Sequence, residues 1–161
     1  MTKNLTVLCF LLLSALPGCG ETTLSEKYAD FTERCYDFLQ DGNFYSRGLI
    51  PYSLGNERYY PDHEAGIQGK IGGKSLSTAT CTVSNMDPLP ANQIPSIVLA
   101  MVNAFNQVAS QEIAGHDWSV GFPTDGALRE TLRLENAREL FIELQWLDRN
   151  VSFALRWIEP S

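Results

Sequence analysis

The sequence predicts an α+β domain: two helices packed on one face of an antiparallel sheet, in the order helix, hairpin, helix, meander, tied by one disulfide. Three observations carry this prediction. Apolar residues recur at the helical period in two segments, over residues 24–39 and 92–114; period-two alternation marks residues 78–84 and three runs between 128 and 157; and Cys35 and Cys81 each fall on the apolar side of their own segment.

The first helix opens on a capping box, Thr23 to Glu26, in which a threonine hydroxyl and a glutamate three residues on satisfy each other's backbone donors. Leu24, Tyr28, Phe31, Cys35 and Phe38/Leu39 then share one face, and Gly42 is placed to end the helix. Residues 43–65 mix five aromatic residues with glycine, proline and charges and show no clean period, so they read as a long loop. Gly72-Gly73 suits a tight hairpin turn, and after it Ala79, Cys81 and Val83 alternate with Thr78, Thr80 and Thr82 as in a strand with one buried face. Cys81 thereby points inward, toward the helix that carries Cys35.

Asn92 is a candidate cap for the second helix, in which Ile94, Ile97, Val98, Met101, Val102, Phe105, Val108 and Ala109 keep the helical spacing as far as a stop at Gly115. Residues 118–122 are a candidate strand. Leu128, Leu132 and Leu134, then Leu140, Ile142, Leu144 and Trp146, then Val151, Phe153, Leu155 and Trp157 alternate with polar or smaller neighbours and predict three meander strands. Helix propensity supports a rival reading, a helix over residues 126–147.

The amino terminus has its own pattern. One basic residue, Lys3, precedes an apolar run from Leu5 to Leu16 that is too short for a bilayer span, and small residues follow, which describes a secretory signal peptide over residues 1–18. Leu16-Pro17-Gly18-Cys19 resembles the lipobox of bacterial lipoproteins, with Pro17 standing where that family usually has a non-proline residue. The resemblance implies lipidation of Cys19, a tether over residues 19–22 and one globular domain over residues 23–161. Gly20 after the cysteine, in place of an aspartate, implies an outer-membrane protein facing the periplasm. Without lipidation the chain would be soluble in the periplasm or secreted. Cys9 leaves with the signal, and Cys35 and Cys81 in an exported domain most economically form a disulfide.

The 161 residues carry a net charge of −7, and 44% are hydrophobic, which suits a single folded domain. Export removes Lys3 alone among the charged residues, so the mature chain is one unit more acidic. That balance gives no electrostatic basis for binding nucleic acid.

No coherent catalytic constellation emerges. Residues 68–75 end like a phosphate-binding loop but have Gln68 where glycine is required, and they continue as a strand rather than a helix. His63 and His116 are the only histidines, and Asp62-His63-Glu64 places its ligand types side by side, where they cannot converge on one ion. No cofactor or metal site is expected. The remaining candidate is a binding surface in residues 43–65, formed by Phe44, Tyr45, Arg47, Tyr52, Arg58, Tyr59 and Tyr60, since Tyr and Arg dominate binding hot spots. The same rings could instead fold back over the core.

The function expected from these residues is that of a non-enzymatic envelope protein acting as an accessory, inhibitor or immunity-type factor. Its partner would be a basic envelope protein, since the acidity of the chain would steer such a partner toward it, and the membrane would be reached through the lipid. A module that binds small ligands or cell-wall fragments, with or without hydrolysing them, and a purely structural lipoprotein are the alternatives.

Overall fold

A computed structural model describes residues 22–110, 125–133 and 138–158. Helix α1 spans Leu24–Asp41. Strands β1 (Tyr52–Leu54), β2 (Glu57–Asp62), β3 (Ile67–Gly72) and β4 (Thr80–Asn85) follow, then helix α2 (Ile94–Ala109) and strands β5 (Gly126–Arg133), β6 (Glu139–Leu147) and β7 (Asn150–Ile158). All seven strands form one antiparallel sheet in the order β1-β2-β3-β4-β7-β6-β5. The fold class is therefore α+β, as expected. The lipobox, residues 118–122, Leu134, Gly115 and His116 lie outside the described residues.

Two meanders build the sheet. One runs β1 to β4 and the other β5 to β7, and the pairing of β4 with β7 joins them, Cys81 opposite Leu155 and Val83 opposite Phe153. The three C-terminal strands form because alternation outweighs helix propensity: Leu140, Ile142, Leu144 and Trp146 of β6 and Val151, Phe153, Leu155 and Trp157 of β7 all point to one face and are buried. Helical geometry would have spread those side chains around the cylinder.

Both helices cover that face. Thr23 and Glu26 make the anticipated capping box, and Gly42 ends α1 in the left-handed region at φ +80°. Ser25 Oγ donates to Ser96 Oγ at 3.2 Å, and further along Tyr36 meets Phe105 edge-on at 5.8 Å, so α1 and α2 run parallel with their N-termini at the same end. Cys35 bonds to Cys81 with a Cα separation of 5.4 Å, fixing α1 to β4. Across 46 residues such a link is worth about 4 kcal/mol in the chain-entropy account.

Three elements differ from expectation. Residues 43–65 are not all loop, because Leu54 and Glu57 pair across a two-residue Gly55-Asn56 turn, with Gly55 at φ +61°, to make the β1–β2 hairpin. The β3–β4 connection is not a tight Gly72-Gly73 turn. It runs from residue 73 to 79 and includes a single 3-10 turn, Leu76–Thr78, which Gly73 permits at φ +108° because a Cβ there would lie 2.4 Å from the Thr78 carbonyl oxygen. Helix α2 begins at Ile94 after a 3-10 turn that contains Asn92, and ends at Ala109 with Ser110 left-handed. No described helix is long and apolar enough to cross a membrane.

Candidate functional site

The chain from Phe44 to Tyr60 wraps one edge of the molecule, and the structure distributes the seven candidate residues over three environments. Phe44 and Tyr60 belong to the core, their ring centroids 4.3 Å apart, with Phe44 also against Phe31. The Arg58 guanidinium lies over the Tyr60 ring. These three residues hold the edge down.

Tyr45 and Arg47 lie along α1. Tyr45 is 48% exposed and its Oη donates to Asp41 Oδ2 at 2.9 Å. Arg47, with φ +44°, pairs with Asp30 at 2.6 Å, and the same aspartate pairs with buried Arg34, which in turn donates to the Ser46 carbonyl at 3.2 Å. Two arginines sharing one carboxylate thus strap residues 45–47 to the helix. The rest of this side of α1 is acidic. Partial burial raises the carboxyls of Glu33 and Asp37 above their ordinary values, and neighbouring negative charges add to it: Asp30 and Asp37 on Glu33, Asp41 on Asp37. The Asn43 backbone N–H holds Asp41 below its ordinary value, and the hydrogen bond to Asp41 raises the Tyr45 phenol.

Tyr52 and Tyr59 occupy the other side, on the sheet face opposite α1 and α2. They stand opposite each other in β1 and β2 and stack with centroids 5.0 Å apart and planes 5° apart. Tyr59 donates to Glu57, which also binds Lys70 at 3.0 Å, so the phenol is raised and the carboxyl lowered by hydrogen bonding. Strand register continues that row through Lys70, Thr82, Ala154, Glu143 and Arg129, a polar, small-residue floor with its charges paired.

The sequence reading missed Ile50 and Leu54, which are 84% and 68% exposed. Ile50, Tyr52 and Leu54 sit at alternate positions directly before the Gly55-Asn56 turn, and that spacing was the available signal. The outer side of β1 pairs with no strand among the described residues. Leu54 and Glu57 flank the two-residue turn, and Pro51, directly before β1, has no N–H to offer an incoming strand.

A concavity lies at the opposite end of α1. Thr22, Leu24, Lys27, Glu64, Ala65 and Gln93 line an open cleft of about 540 Å³ between the heads of the two helices and the β2–β3 turn. Lys27 Nζ reaches Asp62 at 3.4 Å, and His63 is exposed on the same turn. No protein-family model, curated protein or solved structure matches the chain.

Proposed function

We propose that the chain is an exported envelope protein, anchored through Cys19, that binds a basic protein partner without catalysis, as an accessory, inhibitor or immunity-type factor. One observation carries this reading. Of the eight large hydrophobic residues exposed among the described ones, three, Ile50, Tyr52 and Leu54, fall within five consecutive residues at the β1 edge, and a fourth, Tyr45, lies beyond it on the α1 side. Scattered exposed apolar side chains are ordinary, whereas a concentrated group beside tyrosines is the composition of a protein contact.

Charge supplies the partner's character. Glu33, Asp37 and Asp41 border Tyr45 and Arg47, and the chain as a whole is at −7, so a basic surface would be steered to this side. The paired disulfide suits an oxidising compartment.

The test is capture from native envelope extract by the mature protein and by an Ile50→Ser/Leu54→Ser variant, at low and high salt. One stoichiometric partner is expected, held at least tenfold more weakly by the variant and released as salt rises. Capture that is equal for both proteins, or insensitive to salt, would overturn this assignment of the surface. Mass analysis of the mature N-terminus checks the anchor independently.

A further inference from the structure

The cleft at the helix heads uses none of the residues of the proposed protein contact, and its position follows from chain length. If Cys19 carries the lipid, as the proposed function holds, only Gly20 and Glu21 separate the anchor from Thr22 on the cleft wall, three Cα–Cα steps in all. Three such steps reach at most about 11 Å when fully extended. The cleft therefore lies at the level of the lipid headgroups, while the Tyr45 end of α1, eighteen helical residues away, is about 27 Å further along the axis.

The lining tells which headgroup fits. Lys27 comes from α1 and Glu64 from the β2–β3 turn, so the lining of the cleft includes one cation and one anion from separate elements. Lys27 spends one long contact on Asp62 and, as an ammonium with three donors, retains capacity for a second acceptor. Gln93 contributes an amide that makes no capping bond to α2. Leu24 and Ala65 give an apolar wall, and the volume of about 540 Å³ lies in the range of small-molecule sites.

We propose that this cleft holds a phosphoethanolamine group, its phosphate on Lys27 and its ammonium on Glu64. A purely anionic headgroup would satisfy Lys27 but face Glu64 and Asp62 with like charge. A choline headgroup would present a trimethylated ammonium that cannot donate a hydrogen bond to Glu64 or Gln93. The ethanolamine ammonium donates three. The group could come from a phospholipid in the bilayer or from a free phosphoethanolamine ester, and the lipid is the source that the tether favours.

The test titrates the mature protein with soluble O-phosphoethanolamine, phosphocholine and glycerol phosphate, following the amide resonances of Lys27, Glu64 and Gln93. Saturable shifts are expected with O-phosphoethanolamine, at least tenfold weaker binding with the other two, and loss of the response in Lys27→Gln and in Glu64→Gln. Both substitutions are at solvent-accessible side chains, and an unchanged thermal midpoint would confirm that they fold. Absence of saturable shifts, or equal binding of glycerol phosphate, would overturn the proposal. A second arm places the protein in phosphatidylcholine vesicles containing either phosphatidylethanolamine or phosphatidylglycerol and measures amide protection at residues 22–27 and 63–66. Greater protection with phosphatidylethanolamine is expected, and equal protection in both would overturn recognition of the lipid. An unmodified Cys19 by mass, with O-phosphoethanolamine binding intact, would reject the anchor while leaving a soluble ester as the ligand.

Discussion

Trp157 Nε1 donates a 3.0 Å hydrogen bond to the carbonyl oxygen of Leu39, 118 residues earlier in the chain. That carbonyl lies in the last turn of α1, where intrahelical donors run out. The last strand of the sheet thus completes the end of the first helix, in a buried setting where neither group can turn to water. Trp157→Phe keeps a ring but removes the donor, so it should cost about 1–3 kcal/mol in urea denaturation. A loss below about 0.5 kcal/mol would mean that the Leu39 carbonyl finds another partner.

Gly69 of β3 packs under the aromatic pair that holds the candidate edge in place. A Cβ there would lie 2.7 Å from Phe44 Cζ and 3.2 Å from Phe31 Cδ1. Gly69→Ala should therefore displace Phe44 and cost about 1–3 kcal/mol, the range of overpacked cores. Because Phe44 immediately precedes Tyr45 and Arg47, faster amide exchange at residues 44–47 should accompany the loss. Unchanged exchange there would show that Phe31 alone absorbs the added methyl.

Which parts of this arrangement can be read from sequence depends on whether one face is buried. Cys35 and Cys81 each sit within a clear period, one helical and one alternating, so their meeting could be anticipated from two independent patterns. The strands from Gly126 to Ile158 alternate for the same reason. Strand β1 is different: all three of its residues are exposed, so the alternation of Ile50, Tyr52 and Leu54 records no buried face, and it marks the hairpin only together with the Gly55-Asn56 turn. The site was legible to a similar extent. Aromatic residues named the segment, but a ring alone does not distinguish Phe44 and Tyr60, which cover Phe31 and β3, from Tyr52 and Tyr59, which stack in the open. Ile50 and Leu54 are ordinary core residue types, so their alternate spacing before the turn marks a strand but not which way its apolar side faces, and the fold shows that it faces outward.

Glu33 and Asp37 should make the protein more stable when neutralised. Burial raises both carboxyls, like charges on α1 add to the effect, and Arg47 only partly opposes it. Asp37 also lies near the helix C-terminus, where the last turn contains no basic residue. A carboxyl whose folded pKa exceeds its unfolded value costs stability when ionised. The cost is complete above the folded pKa and disappears below the ordinary values of 4.5 for Glu33 and 3.8 for Asp37. Glu33→Gln and Asp37→Asn should each gain up to about 0.5 kcal/mol at pH 7, a figure limited by solvent screening, and the gain should vanish near pH 3. Glu26, Asp41, Glu57 and Glu143, held low by hydrogen bonds, act in the opposite sense and lose their contribution as pH falls. A gain that persists in acid would place its origin in helix propensity instead of charge.

Tyr28 presents the reverse of the Trp157 case. Its side chain is fully buried between α1 and the rest of the core, yet its hydroxyl has no hydrogen-bond partner among the described residues. Burial pushes the phenol well above its ordinary range, so at neutral pH the cost is that of a desolvated polar group rather than of a charge. Tyr28→Phe deletes that group and leaves the ring packing intact, so stability should rise by about 1 kcal/mol. Tyr28→Leu, which also removes ring contacts, should lose stability and so separates the polar cost from the packing gain. A loss of more than about 1 kcal/mol in the phenylalanine variant would show that the hydroxyl is satisfied, most simply by a buried water, and that this position contributes through both its ring and its oxygen.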